Sequence, residues 1–349
     1  MHVLELEGSP RELGRAHGEE VRAEIGLGLE RWLSVLGGAT HVAAQDYVSS
    51  FLESTDFFGA IERFTPNLLE EVRGIAEGAR QPFETVFAYQ LMDEEWWYRL
   101  GRMRARKAPI EACSAVGVVA AERSTLLAQN MDLPSHYDGT QVLLRIKTAG
   151  QPEVLIFGPA GLLGTTGLNE RGVGVCVNTL PQLRHSARGL PVGFVVRGAL
   201  AQETADDAAA FVRRVPHASG QNYMLGGPGD LLDLEGSAGG VSEVTRGGTQ
   251  SIHTNHPLAS DDLDESARPE RGSTTRARLK KLEELAAAGA GLTVGQIQQT
   301  LSDREVPVCV SRGSDWITLG SLVMELSDQP VMHIAPGPPA ETPYQTVTF

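Results

Sequence analysis

The chain has 349 residues, with 44 acidic against 30 basic side chains and a formal charge of −14. Such a surface repels phosphate backbones and anionic lipid, so neither nucleic acid nor a membrane is expected as a partner. Hydrophobic residues make up 41% and charged residues 21%, the balance of a globular protein long enough to bury a large core as one domain or two.

The first hundred residues read as helical. Ser9-Pro10-Arg11-Glu12 predicts a capping box with proline at the first helical position, and Leu13, Ala16, Ile25, Trp32 and Leu36 supply an apolar stripe. Thr65-Pro66 predicts a second start, followed by Leu68, Leu69, Val72, Ile75 and Ala76 at helical spacing. A third helix is predicted from Phe83 to Leu100, with Trp96-Trp97-Tyr98 read as core packing. The basic stretch from Arg102 to Pro109 then reads as an exposed connector.

After Cys113 the pattern changes to short apolar and β-branched runs: Ser114 to Ala121, Leu126 to Asp132, Val142 to Lys147, Val154 to Phe157 and Val173 to Asn178. Turn residues such as Asp138-Gly139, Gly150 and Glu170-Arg171-Gly172 separate them. Helices are predicted from Val192 to Ala201 and from Ala205 to Arg214. Strands follow at Tyr223 to Gly226, Leu231 to Glu235 and Val241 to Thr245. The polar segment Ser260 to Gly272 reads as a loop, and two helices follow, Thr274 to Ala288 and Val294 to Leu301. Two further strands lie between Ile317 and Ile334. This order predicts an α+β protein with sheet packed on sheet and helices outside.

Common catalytic signatures are absent: there is no GxSxG elbow, P-loop, GxGxxG or HExxH. Three cysteines, Cys113, Cys176 and Cys309, are odd in number and far apart, which makes neither a disulfide framework nor a zinc-type pair. His253 and His256 lack a neighbouring carboxylate and read as hydrogen-bonding residues, so no metal and no cofactor is expected. No stretch reaches the ~18 apolar residues of a membrane span, and Met1 to Glu5 carries no signal-type apolar run; a reduced, cytoplasmic chain is expected. Cys176 and Cys309 read as small buried hydrophobes. Cys113 differs: it opens a strand, follows the basic connector and precedes Ser114. A turn centred between Glu122 and Arg123 sets Cys113 opposite Asp132, within cross-strand reach, unless a bulge moves the register by one. Taken singly, Asp132 is equally a strand-end aspartate, and Asn178 and Asn255 are equally turn caps. Arg276 opposes the dipole of the helix it begins, which hints at another role.

Glu111-Ala112-Cys113-Ser114 followed by Gln129-Asn130-Met131-Asp132 resembles the acyl-coenzyme A:6-aminopenicillanic acid acyltransferase (isopenicillin N acyltransferase) family of the N-terminal-nucleophile hydrolases. Leu13-Gly14-Arg15-Ala16-His17-Gly18 is similar to that family's N-terminal helix opening, and Thr254-Asn255-His256 to its oxyanion segment. Ser273-Thr274-Thr275-Arg276 is similar to its polar and basic patch, and Ala335-Pro336-Gly337-Pro338-Pro339 to the end of its C-terminal strand. Gln129 stands where bile-salt-hydrolase relatives usually carry arginine, which points to the acyltransferase branch. Ala112 stands where the family often has glycine.

The resemblance implies a four-layer αββα sandwich and one integrated domain, cut by itself between Ala112 and Cys113. The products would be a helical segment, residues 1–112, and a catalytic segment, residues 113–349. It implies Cys113 as nucleophile and its freed α-amine as base; the reference pKa values, ~7.7–8.0 for the amine and ~8.5 for the thiol, suit that exchange. Asp132 would hold the ammonium, while the Asn255 side chain and the Asn178 main-chain N–H would stabilise the oxyanion. Arg276 would orient the site or bind a substrate carboxylate, together with Ser273 and Thr275. The expected activity is hydrolysis of a small N-acyl amide through an acyl-cysteine. Transfer of the acyl group to an amine, or a catalytically idle binding protein on the same fold, are the alternatives. Expected partners are a small N-acyl substrate and the chain's own two fragments, with homo-oligomer formation left open.

Overall fold

The computed structural model describes residues 1–103, 113–121, 123–264, 273–287 and 291–349. Ala112, Glu122, most of the connector expected from Arg102 to Pro109, most of the loop expected from Ser260 to Gly272 and the last residue of the helix expected to end at Ala288 lie outside the described residues. The chain opens with strand β1 (His2–Glu7), which the helical reading of this region did not include. Leu4 and Leu6 alternate inward along it and are buried, and that period-two burial is what draws the segment into a sheet. Helices α1 (Pro10–Glu20), α2 (Arg22–Thr40), α3 (Ala44–Glu53) and α4 (Phe58–Phe64) follow. Then come α5 (Pro66–Ala79), α6 (Phe83–Gln90) and α7 (Met92–Met103), the last two replacing one predicted helix because the chain breaks at Leu91.

At the start of α1 the Glu12 carboxylate accepts from the Ser9 N–H at 2.9 Å and from the Ser9 hydroxyl at 2.5 Å, the expected cap. Helices α1 and α5 cross at backbone contact. A Cβ added at Gly14 would stand 1.9 Å from the Glu71 carbonyl oxygen, and one at Gly74 would stand 2.2 Å from that of Arg11. Only glycine permits this approach. Trp97 is buried, and Tyr98 packs its ring 5.1 Å from that of Phe51, so the aromatic run serves the core as expected.

From Ser114 onward the strands are β2 (Ser114–Ala121), β3 (Ser124–Pro134), β4 (Gln141–Lys147), β5 (Val154–Pro159), β6 (Thr166–Asn169) and β7 (Gly174–Thr179). Helices α8 (Val192–Leu200) and α9 (Ala205–Arg214) precede β8 (Gln221–Gly227), β9 (Asp230–Ser237), β10 (Gly240–Arg246) and β11 (Gln250–His253). Helices α10 (Thr275–Ala286) and α11 (Val294–Leu301) lead to β12 (Trp316–Leu326), β13 (Val331–Ala335) and β14 (Gln345–Thr348).

Two sheets stack face to face. One has eight strands in the order β1-β4-β5-β6-β7-β8-β9-β10, and the other has six in the order β11-β2-β3-β12-β13-β14. Helices α8 and α9 cover the eight-stranded sheet, and α10 and α11 cover the six-stranded one. This is the four-layer αββα sandwich that the resemblance implies. Side-chain alternation along β2 and β3 divides the inner from the outer layer. Val116, Val118, Leu126 and Ala128 pack with Leu282, Ile297 and Leu301 of the outer helices, while Ala115, Leu127 and Met131 join the core between the sheets. Among the described residues no helix is long and apolar enough to cross a membrane.

Candidate active site

Cys113 stands immediately before β2, where the strand leaves the edge of the sandwich core. The hairpin is in place, but a bulge between Val119 and Ala121 moves the register: Ser114 pairs with Asn130 and Ala115 with Gln129. Continuing that register sets Met131, not Asp132, opposite Cys113, a one-residue correction to the expected pairing. Asp132 still touches the cysteine, because its main-chain N–H bonds the Cys113 sulfur. The Asp132 side chain shares the other face of β3 with Asn130, where its carboxylate accepts a 2.5 Å bond from the Thr318 hydroxyl. Burial, then the Asp132 charge, pushes the Cys113 thiol up to about 12, so in the intact chain the sulfur carries its proton at neutral pH.

One buried cation ties the site together. Arg278, on the inward face of α10 with 1% exposure, donates to the Cys113 carbonyl (2.8 Å), the Ser114 hydroxyl (2.9 Å) and the Asn255 side-chain oxygen (2.9 Å). With its oxygen held there, the Asn255 amide nitrogen donates to the Thr179 carbonyl at 3.0 Å. Arg276, the arginine expected to act here, is exposed one half-turn away, where its charge helps burial hold the His256 imidazole down at about 4. Thr275 is buried and accepts the Asn255 N–H at 2.9 Å, and the Ser273 hydroxyl accepts the Thr275 N–H at 3.2 Å. Ser273, Thr275 and Arg276 therefore frame the segment that carries Asn255, and none of them lines the cavity beside Cys113.

The segment from His253 to Ser260 is clamped at both ends by Glu235 of β9. The buried Glu235 carboxylate meets His253 Nε2 at 2.9 Å and accepts main-chain bonds from Leu258 (2.5 Å), Ala259 (3.1 Å) and Ser260 (2.6 Å). His253 Nδ1 faces the Thr254 carbonyl at 2.9 Å. Both ring nitrogens thus face oxygen acceptors, the arrangement of an imidazolium. Burial works to lower the His253 pKa, but the Glu235 carboxylate, with Asp233 behind it, raises it. Sequence reading placed no carboxylate near His253, since Glu235 is far away in the chain.

On β7 the two-residue alternation decides which N–H is available. Leu180 donates to the Gly220 carbonyl at 2.9 Å, while both main-chain groups of Val177 engage the Gln129 side chain. The main-chain groups of Asn178 therefore face β8, with which it pairs opposite Asn222, and those of Thr179 face away toward Asn255. Of these two residues it is Thr179, not Asn178, whose main chain meets Asn255. Gln129, singled out by its type, is spent on bracing β7 against β3.

Beside Cys113 lies a narrow cavity of about 50 Å³ walled by Met131, Leu133, Leu163, Val177, Val192 and Val196, with Asp93 and Thr179 among its polar residues. Its Leu162–Thr165 wall is held by the N-terminal segment. The Gln90 amide accepts the Leu163 N–H (2.9 Å) and donates to the Gly161 carbonyl (2.7 Å), and His17 Nε2 accepts the Gly161 N–H at 3.0 Å. Burial lowers the His17 pKa to about 3, which keeps that nitrogen an acceptor. Among the described residues no group of three or more His, Cys, Asp or Glu side chains is placed to hold a metal ion.

Residues 119–337 match the family model described as acyl-coenzyme A:6-aminopenicillanic acid acyl-transferase, well over half of the chain. The chain belongs to the acyl-coenzyme A:6-aminopenicillanic acid acyl-transferase family. A similar member is the 40 kDa form of acyl-coenzyme A:6-aminopenicillanic-acid-acyltransferase from Emericella nidulans, 25% identical over 260 residues, which cover 74% of this chain and 70% of that one. Two solved structures overlap more loosely. The penicillin V acylase of Agrobacterium tumefaciens has a TM-score of 0.46 at 13% identity, covering 64% of this chain and 83% of its own. A conjugated bile acid hydrolase from Clostridium perfringens has a TM-score of 0.45 at 12% identity, covering 68% and 92%. As a member of this family the chain is an enzyme of the acyltransferase kind.

Proposed function

We propose that this family member hydrolyses a small N-acyl amide through an acyl-Cys113 intermediate, and that it gains this activity by cutting itself before Cys113. The observation that carries the reading is the Arg278 bridge. One buried guanidinium holds both the Cys113 carbonyl and the Asn255 side chain, and Cys113 and Thr179, to which Asn255 is bonded, line the cavity. A thiol pushed up to about 12 needs a base at hand, and cleavage supplies one by freeing the α-amine of Cys113 itself. The sulfur then attacks the amide carbon while its proton passes to that amine. The Asn255 amide, with the Thr179 N–H beside it, faces the charge that develops on oxygen. The amine product leaves with the proton from the Cys113 ammonium. Water then opens the acyl thioester, giving a proton to the same amine, which returns it to the departing Cys113 sulfur as the free acid leaves. The Asp132 carboxylate supports the ammonium at each turn. Hydrolysis is the default because water reaches the thioester unaided, whereas an amine acceptor has to be bound beside it.

Intact-mass analysis of freshly purified, denatured protein tests the reading. Wild type should give two fragments, the larger beginning at Cys113, and Cys113→Ala should stay as one chain. The cleaved protein should release free acid from a panel of N-acyl amides. A wild-type chain that stays whole after long incubation, or a cut at another position, would refute the self-processing step.

A further inference from the structure

Three acidic residues open α7 in succession, and each goes to a different place. Glu95 takes a 2.7 Å bond from the Tyr47 hydroxyl and a 3.0 Å bond from Arg99. Glu94 accepts the Val192 N–H at 3.1 Å and the Ser219 hydroxyl at 2.7 Å. Asp93 lines the cavity that holds Cys113. Its only protein partners among the described residues are neutral, the Thr179 hydroxyl at 2.9 Å and the Gln221 side-chain amide, and both bond the same oxygen, Oδ2. Oδ1 has no such partner, and it is not among the buried polar atoms sealed without one. Burial lifts the Asp93 carboxyl above the usual range in spite of the two bonds. The surrounding wall is aliphatic. A carboxylate in such a place costs free energy until a cation or strong donor meets it.

We infer that Asp93 is a specificity residue that binds an ammonium group on the substrate, so that the preferred acyl part is a short aliphatic chain ending in a protonated amine. The stem would lie along Leu133, Leu163 and Val196, and the ammonium would donate to Asp93 Oδ1 while the carbonyl meets Cys113. The proposal rests on the hydrolase reading for its acyl half, but the carboxylate in the cavity does not depend on catalysis.

The test separates the two. Butylammonium and 1-butanol, matched in length, are titrated at neutral pH against the purified full chain, with ligand-observed NMR as the binding readout. Wild type should bind the ammonium about tenfold or more tighter, the yield of a hydrogen bond to a charged group, and Asp93→Asn should remove that preference. Butylammonium should also slow alkylation of Cys113 by iodoacetamide in wild type, which places the bound amine in this cavity without any variant. In a second arm, 4-aminobutanoyl and pentanoyl p-nitroanilides are compared by kcat/KM, and the aminated substrate should lead by a similar factor. Equal binding of the two probes by wild type, or an ammonium preference that survives Asp93→Asn, overturns the subsite. An ammonium preference without turnover of either anilide supports the Asp93 subsite and counts against the hydrolase reading instead.

Discussion

At the scale of single residues, Asn255 and Arg278 carry the site's geometry. Asn255 has its oxygen fixed by Arg278 and its main-chain N–H by Thr275, so its amide is preorganised before any substrate arrives. Removing one such donor costs ~10²–10³ in turnover. Asn255→Ala is therefore expected to lose about that much in kcat with little change in KM, measured on the first N-acyl amide found to be cleaved. The two arginines of α10 give a sharper contrast. Arg278→Lys keeps the charge but loses the fork that reaches Cys113 and Asn255 together, and should lower kcat by about tenfold or more. Arg276→Ala should stay within a few-fold of wild type in the same assay; the reverse ranking would show that the exposed arginine is the functional one. The choice was half legible in the sequence. Thr275, Arg278, Leu282 and Ala286 recur at helical spacing and are the buried residues of α10, so the apolar face at Leu282 and Ala286 already placed position 278 inside and 276 outside. Position next to a family-like motif drew attention to Arg276, on the exposed face, and not to Arg278 on the buried one.

At the scale of elements, small irregularities decide which group meets which. The bulge at the β2–β3 turn moves the pairing by one residue, and in a strand one residue is a change of face. Most strands, and helices α8, α9 and α11, were readable because period and punctuation are local. Strands β1, β6, β11 and β14 were not. β6, β11 and β14 have four residues each, and β1 sits before a strong helix start. The clamp on the Asn255 segment is likewise invisible locally, since Glu235 and His253 lie on separate strands. Its pH behaviour follows from the two shifts. The His253 contribution is fully present below the ordinary histidine pKa and fades as pH rises through its raised value. The Glu235 contribution is present above the ordinary carboxylate pKa and is lost as pH falls through its lowered one. Glu235→Gln should loosen the segment and reduce kcat by up to about 10²-fold, and should move the alkaline loss of activity to lower pH, because His253 no longer has its carboxylate. An alkaline limb that stays in place would show that the clamp does not act through His253.

At the scale of the whole molecule, the core between the sheets is shared by the N-terminal helices and the strand block, so residues 1–103 help to build the site although Cys113 follows them. The same burial leaves a measurable mark at Glu94. Burial, and then the neighbouring Asp93 charge, raises its carboxyl to about 7, so the fold holds a proton that the unfolded chain releases at lower pH. Stability should fall as pH rises from the ordinary glutamate range to about 7 and change no further from this source above it, a cost on the order of 3–4 kcal/mol. Glu94→Gln keeps an acceptor for Val192 and Ser219 without the charge, so its advantage in Tm over wild type should grow between pH 5 and pH 8 in scanning calorimetry. A constant difference across that range would rule out Glu94 as the source. The sequence by itself determined the layered α+β architecture, the capping of α1, the place of Cys113 at a strand's start and the family, because periodicity, turn chemistry and residue type act over a few neighbours. Only the tertiary structure decided that Arg278 bridges Cys113 to Asn255, that Thr179 rather than Asn178 turns its main chain toward Asn255, and that Asp93 enters the cavity. Each of these depends on a register, a helix rotation or a contact between segments many residues apart, and such contacts are set by packing the whole chain.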